Sequence, residues 1–115
     1  MLKLFNKTTN QLISGELQPA ESFLDRGIGL LKFKKIEPEY ILWIKKCNSI
    51  HTFFMRFSID CVFVDTNLVI KSLHQEVKPW RLIWPQWGAT SVLEMSAGAI
   101  ERWQLKKGDQ LYVVS

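Results

Sequence analysis

Ionisable side chains lie inside apolar, strand-forming sequence at His51, Arg56 and Asp60. Burying such a group without a partner costs free energy, so each of them is either satisfied by neighbouring groups or functional. Aromatic and charged side chains come together again in the second half of the chain. We therefore take six residues as candidates for a ligand-binding site: His51, Arg56, Asp60, Trp80, Arg81 and Glu94.

The two arginines give this set its chemical character. The planar guanidinium groups of Arg56 and Arg81 can each hold a carboxylate or a phosphate through two parallel hydrogen bonds. Phe54 and Trp80 would supply the apolar wall that ligand pockets usually have, and His51 could exchange a proton near neutral pH. The pattern predicts a small soluble binding module with an anion-accepting cleft, whose ligand is a small molecule that the sequence does not identify.

The same residues also fit a purely structural interpretation. Arg56 with Asp60, and Arg81 with Glu94, would then be internal ion pairs that connect strands and loops. Glu94 would instead face solvent if its two apolar neighbours in sequence point into the core. The sequence leaves these interpretations open.

A catalytic role would need a nucleophile and a base within hydrogen-bond distance. Cys47 and His51 are the residue types of a thiol–imidazole pair, in which the base promotes formation of the thiolate. Four residues along an extended strand span about 13 Å, however, so only a turn at Asn48 and Ser49 would bring them together. We assign no catalytic residue and expect no enzyme, and an enzyme that uses His51 or Cys47 remains the alternative.

Potential metal ligands are present but lack the spacing of a metal site. Zinc sites usually contain closely spaced pairs such as Cys-x-x-Cys. The candidate ligands are far apart in the sequence: Cys47, His51, Asp60, Cys61 and His74. We therefore expect no metal and no other cofactor.

Three tryptophans fall within eight residues, at Trp80, Trp84 and Trp87. This segment is too apolar for a fully solvated loop. Prolines at positions 79 and 85 favour extended backbone and argue against a helix. The favoured prediction is that the indoles fold inward as a lid over one end of the domain. The alternative is a protein-interaction module that presents the Trp80–Trp87 loop to a partner.

Composition limits the other function classes. The formal net charge of +4 comes from scattered lysine pairs without a dense basic block, which makes nucleic acid an improbable partner. No run of about 18 apolar residues could span a membrane, and the first residues lack the pattern of a secretion signal. We expect a cytoplasmic protein whose two cysteines stay reduced, and the oligomeric state is not indicated.

Short apolar segments with turn residues between them predict a β-rich fold. Strands are expected at residues 2–5, 11–17, 40–44, 50–57, 59–64, 68–73, 91–95 and 111–114, with a hairpin turn at residues 65–67. Two short helices are expected at residues 19–26 and 98–104, the first opening on Pro19. The 115 residues are expected to form one domain, a mainly β, mostly antiparallel, barrel-like structure with these two helices.

Three blocks in order resemble the domain-of-unknown-function family 192. The first is Arg-Gly-Ile-Gly-Leu-Leu at residues 26–31, and the second runs from His51 to Asp65 and opens with His-Thr-Phe-Phe-Met-Arg. The third begins with Pro-Trp-Arg-Leu at residues 79–82 and continues to Gly108 and Asp109. The chain departs from the family pattern at Ser58, Ser96 and Gln104, which are positions that concern turn geometry. The resemblance implies a compact β-rich fold and no particular reaction.

Overall fold

The computed structural model of the protein describes residues 2–20, 30–31 and 33–115. These residues contain nine strands and one short helix. The elements are β1 (Leu2–Asn6), β2 (Gln11–Ala20), β3 (Tyr40–Lys45), β4 (Ile50–His51), β5 (Ile59–Val64), β6 (Ile70–Val77), β7 (Leu82–Ile83), β8 (Ser91–Ser96), α1 (Ala99–Arg102) and β9 (Leu111–Val114).

Seven strands form one sheet in the order β6-β5-β8-β3-β2-β1-β9, and β4 with β7 forms a separate two-stranded sheet. Only β2 and β3 pair in parallel among these strands. The two edges of the large sheet meet at one end, where the Leu111 N–H donates to the Leu68 carbonyl and the Ile70 N–H donates to the Asp109 carbonyl. The sheet therefore curls into a half-barrel, and the prediction of a mainly antiparallel, barrel-like β fold is confirmed.

Strand β5 lies inside the sheet between β6 and β8, and all six of its residues are buried. Its side chains alternate between two hydrophobic clusters. Val62 and Val64 belong to the first cluster, which packs against α1, whereas Cys61 and Phe63 belong to the second. A strand covered on both faces explains why its sequence is apolar without interruption except at Asp60.

The second cluster is covered in part by the small sheet of β4 and β7. Ile50 pairs with Ile83 across these two strands, and both side chains are buried in that cluster. Met55, which follows β4, is buried there as well. The small sheet thus has an inner apolar side, and its adjoining loops are held at the surface.

The hairpin of β5 and β6 and the strand assignments at both ends of the chain are confirmed. The predicted strand at residues 50–57 is wrong beyond His51, because the chain turns at Phe53 and Phe54. The first predicted helix is wrong at Pro19, which lies in β2 and pairs with Trp43. Strand β1 reaches only as far as Leu17, so on the side of β1 the missing N–H of the proline breaks no ladder bond. Residues 21–26 of that prediction lie outside the described residues.

The second predicted helix is confirmed as α1, one short turn at Ala99–Arg102. It begins after Gly98, which has a φ of 94° and no side chain with which to cap the helix. No helix in the described part of the chain is long and apolar enough to cross a membrane.

Candidate functional site

Four aromatic rings form a continuous row at the surface, one at the end of β4 and three on the loops that join the small sheet to the rest of the domain. His51 stacks on Phe53 with ring centroids 4.9 Å apart, and Phe53 stacks on Trp80 at 5.9 Å. Phe54 lies against the same indole at 4.6 Å. All four residues are exposed, and Trp80 retains 56% of its accessible surface. We call these four residues, His51, Phe53, Phe54 and Trp80, the aromatic row.

Thr52 connects the two segments that carry the row. It is fully buried, and its N–H donates to the Arg81 carbonyl at 2.8 Å while its hydroxyl donates to the Lys78 carbonyl at 2.6 Å. In return, the Trp80 N–H donates to the Thr52 carbonyl and the Arg81 N–H donates to the Thr52 hydroxyl, both at 2.9 Å. One small buried residue therefore fixes the 78–81 segment against the loop after β4.

The backbone of the row is strained at two of its aromatic residues. Phe54 has a φ of 67° and Trp80 a φ of 66°, in the left-handed region that bulky side chains rarely adopt. These two residues also make the closest ring contact of the row. Strained backbone persists only where surrounding contacts impose it, and it concentrates at functional sites. Here the hydrogen bonds of Thr52 impose it.

Two cationic side chains accompany the row. Arg81 is exposed, and its guanidinium donates a long 3.5 Å hydrogen bond to the Pro79 carbonyl. Arg56 is exposed beside buried Met55, in the loop that carries Phe53 and Phe54. Among the described residues the ion pairs are Lys35–Glu37 and Lys71–Asp65. The structural interpretation, in which Arg56 pairs with Asp60 and Arg81 with Glu94, is therefore wrong.

Asp60 is fully buried on β5 and faces the cluster that contains α1. One carboxylate oxygen accepts the N–H of Ile100 at 2.8 Å, in the first turn of α1, and the other accepts the N–H of Glu76 at 2.9 Å. The second contact lies at an irregularity in the β5–β6 pairing, where Glu76 has a φ of 49°. Asp60 therefore caps the helix that follows Gly98 and satisfies a bulge on β6.

Glu94 is also buried, with 4% of its surface exposed, so the alternative in which it faces solvent is wrong. Strand β8 is covered on both faces, which removes the exposed side that alternation along the strand suggested. Among the described residues no side chain or backbone N–H donates a hydrogen bond to its carboxylate. Burial raises the pKa of Glu94 from 4.5 to about 7.

The six predicted site residues are thus divided by the fold. His51, Trp80 and Arg81 come together at the aromatic row, and Arg56 is exposed on the adjoining loop. Asp60 and Glu94 lie on neighbouring strands of the large sheet but point into different clusters. The candidate site at the surface consists of the row and the two arginines, without these two acids.

The contacts of Cys47 and His51 bear on the enzymatic alternative. The Cys47 thiol donates to the Ser49 carbonyl at 2.8 Å, and His51 Nδ1 accepts the N–H of Phe53 at 3.3 Å. The two side chains are thus directed to different backbone groups. No group of three or more potential metal ligands comes together within the described ranges.

The other two tryptophans of the segment are exposed. Trp84 retains 73% of its accessible surface and Trp87 retains 97%, so the prediction that the indoles fold inward as a lid is wrong. The loop beneath them is held by Gln86, whose N–H donates to the Asn48 carbonyl and whose side chain contacts His74. The backbone is fixed while the indoles point outward.

Sequence reasoning missed Thr52 and Phe53. The run His-Thr-Phe-Phe contained the only available signal, since a threonine between aromatic residues is a candidate for backbone hydrogen bonding. Nothing in the sequence indicated that its partners would come from residues 78–81, which are 26 or more positions away.

Comparisons with known proteins agree with the resemblance seen in the sequence. The model of the DUF192 family, described as Uncharacterized ACR, matches residues 4–113. A UPF0127 protein of Pyrococcus horikoshii is 35% identical over 94% of this chain and 96% of its own length. One from Pyrococcus furiosus is 33% identical over 94% and 95% of the two chains.

Two crystal structures have a similar fold. A "putative transcription regulator" from Sinorhizobium meliloti superposes with a TM-score of 0.81 at 17% identity, covering 97% of this chain and 91% of that one. A protein of unknown function from Novosphingobium aromaticivorans gives 0.78 at 16% identity, with coverage of 96% and 82%. At these identities the likeness concerns the fold alone.

Proposed function

This chain belongs to the DUF192 family, whose members have no assigned activity, and we propose that it is a small binding module for an anionic small molecule with a flat ring. The aromatic row would stack on the ring, and Arg81 with Arg56 would hold the anionic group. The observation that carries this proposal is the row itself: exposed rings in contact, two of them on strained backbone.

The aromatic row lowers the stability of the folded protein, which is unexpected for residues whose only role is structural. Exposed aromatic rings leave apolar surface in water, and each left-handed non-glycine residue costs about 1 to 3 kcal/mol. A planar ligand that stacks on such rings recovers part of this cost, since stacking of a base on an aromatic side chain contributes about 1 to 3 kcal/mol. The arrangement is therefore explained better by a ligand than by folding.

The charge of the ligand follows from the two arginines. Neither guanidinium forms an ion pair within the part of the chain that the structure describes, so both can accept a carboxylate or a phosphate. An adjoining His51 adds a further polar group at the end of the row. A nucleoside monophosphate combines a flat ring with an anionic group and is a suitable probe of this class.

The test is a binding titration of that probe by calorimetry, with wild-type protein and two glycine variants. Trp80→Gly removes the central ring, and glycine tolerates a φ of 66°, so we expect a folded protein with at least tenfold weaker binding. Trp87→Gly is the matched control, because Trp87 is exposed and outside the row. Equal binding by both variants would contradict the proposal.

The anionic half of the site is tested separately. Arg81→Gln should weaken the nucleoside monophosphate but leave the weaker binding of the uncharged nucleoside unchanged. Arg102→Gln, at an exposed arginine on α1, is the control and should change neither. Equal losses for both ligands in Arg81→Gln would mean that the arginine supports the loop and does not hold the anion.

A second candidate function is that of a protein-interaction module, and the exposure of Trp84 and Trp87 favours it. Exposed indoles are typical of contact sites between proteins. Their replacement by alanine should then abolish association with a partner but leave nucleotide binding intact. Sedimentation of the purified protein over a range of concentrations would reveal whether that partner is a second copy.

We also propose that the protein works in the cytoplasm. Cys47 and Cys61 both carry thiols, as expected in a reducing compartment. Fractionation of cells that express the tagged protein tests this location.

A further inference from the structure

The outer side of the small sheet continues into a loop that exposes two indoles. Ile83 of β7 is buried, so its neighbours Leu82 and Trp84 lie on the opposite, outer side, where Leu82 is 50% exposed and Trp84 more so. Trp87 follows in the same loop and is almost completely exposed. We call Leu82, Trp84 and Trp87 the outer apolar surface. Large exposed apolar side chains that are concentrated in one segment mark a site for a partner.

Hydrogen bonds hold the backbone beneath this surface. The Gln86 N–H donates to the Asn48 carbonyl at 2.8 Å, and the Gln86 side-chain amide donates to the Trp84 carbonyl at 2.7 Å. The Ala89 N–H closes the turn by donating to the Gln86 carbonyl at 3.2 Å. The loop therefore presents its indoles in a fixed arrangement, and it loses little conformational entropy when a partner covers them.

The charges on the two segments that form this part of the protein are positive. Residues 40–59 and 77–93 contain the small sheet and the loop, and they include no aspartate or glutamate. Their exposed cations are Lys46, Arg56, Lys78 and Arg81, which outnumber Glu76, the exposed acid that precedes the second segment. A partner that complements this part of the surface is therefore negatively charged and also has an apolar part.

We propose that the outer apolar surface docks the protein onto a bilayer that contains anionic lipids. Indoles favour the interface between headgroups and hydrocarbon, and the exposure of Trp84 and Trp87 lets them enter it without rearrangement of the chain. The cations of the same segments would lie among the negatively charged headgroups. Such docking is peripheral and needs no helix that crosses the membrane.

A partner protein is the other occupant, as in the second candidate function above. Protein partners usually receive indoles in pockets that match them, whereas a bilayer needs only projecting rings and positive charge. The single sign of charge on both segments therefore favours lipid. The outer apolar surface does not include the aromatic row, so binding of a nucleotide and binding of a bilayer can fail separately.

The test is co-sedimentation of the wild-type protein with two kinds of vesicle at low salt. One contains equal parts of phosphatidylglycerol and phosphatidylcholine, and the other contains phosphatidylcholine alone. We expect at least tenfold tighter binding to the anionic vesicles, since each basic side chain near such a surface contributes about fivefold. Tryptophan emission should shift to the blue as the indoles leave water. Equal binding to both vesicles, or binding to neither, overturns the proposal.

Two matched pairs of variants locate the contact. Trp87→Ala should bind anionic vesicles about tenfold more weakly, because a large apolar side chain no longer enters the interface. Leu12→Ala, at a leucine of β2 that is 46% exposed, is its control and should bind as the wild type does. Lys78→Gln should bind about fivefold more weakly, whereas Lys3→Gln, at an exposed lysine of β1, should not.

Two outcomes would contradict the proposed contact. Equal losses in Lys78→Gln and Lys3→Gln, or in Trp87→Ala and Leu12→Ala, would mean that the bilayer attracts the protein through its overall charge or apolar surface. If Trp87→Ala abolishes self-association in sedimentation experiments but leaves vesicle binding unchanged, the outer apolar surface binds a second copy of the chain.

Discussion

Asp60 and Glu94 are two buried acids on neighbouring strands, and the fold treats them in opposite ways. Both residues are buried, but the carboxylate of Asp60 accepts two backbone N–H groups, whereas that of Glu94 accepts none from the described residues. Asp60 stabilises the start of α1 and the irregularity in β6, whereas ionised Glu94 lowers the stability of the fold because it lies in an apolar cluster. Burial alone therefore does not indicate the role of a buried acid. The hydrogen-bond donors around its carboxylate do indicate that role.

The largest expected effect is the loss of Asp60. Asp60→Ala leaves the buried N–H of Ile100 and the part-buried N–H of Glu76 without acceptors, so we expect a loss of about 2 to 4 kcal/mol in the free energy of unfolding. Asp60→Asn keeps one oxygen acceptor and should lose less. Urea denaturation measures both, and a loss below about 1 kcal/mol in the alanine variant would remove Asp60 from its structural role.

Removing the charge of Glu94 should have the opposite sign. Its pKa in the folded protein, about 7, exceeds the ordinary value of 4.5, so the folded state retains a proton that the unfolded state has lost. Stability from this group is therefore complete below pH 4.5, falls between 4.5 and about 7, and stays reduced above that range, by about 3 kcal/mol. Glu94→Gln should be more stable than wild type at about pH 8 by up to this amount.

The pH dependence of the difference between Glu94→Gln and wild type is the control. At about pH 4.5 Glu94 is neutral in the folded protein, and glutamine is its near-isostere, so the two proteins should unfold at the same urea concentration. A constant difference across the pH range would show that the substitution acts through packing.

Asp65 allows the same comparison near the surface. It accepts the N–H groups of Asn67 and Val69 at 2.9 and 3.0 Å, much as Asp60 accepts two N–H groups, but its side chain is partly exposed. Water can replace those bonds, so Asp65→Ala should cost only about 1 kcal/mol. Thermal unfolding of both variants measures the two losses in the free energy of unfolding. If Asp65→Ala loses as much as Asp60→Ala, burial does not determine how much stability is lost with an acceptor.

The smallest effect concerns coupling between the two buried acids. Their strands are paired, but the side chains enter different clusters, so the double variant Asp60→Asn with Glu94→Gln should show additive changes within about 0.5 kcal/mol. A double-mutant cycle by urea denaturation measures this coupling. A coupling of 1 kcal/mol or more would mean that the sheet transmits the state of one acid to the other.

The exposed aromatic row was partly foreseeable and partly not. The sequence marked His51, Trp80 and Arg81 as unusual for their apolar surroundings, and the structure brings these three together. The sequence could not separate these three residues from Asp60 and Glu94, because residue type alone does not indicate which face of a strand is covered. The strain at Phe54 and Trp80 was equally invisible, since the backbone conformation of these residues is imposed by hydrogen bonds from Thr52.

Alternating and uninterrupted apolar segments determined the class of this fold and most of its strands. Local turn chemistry determined the hairpin of β5 and β6, since its turn residues adjoin the strands they connect. Tertiary structure alone decided that both faces of β8 are covered, that Pro19 continues a strand and that the indoles of Trp84 and Trp87 remain in water. Each of these outcomes depends on contacts between residues far apart in the chain, and a local sequence pattern does not determine which distant segment packs against a given strand or loop.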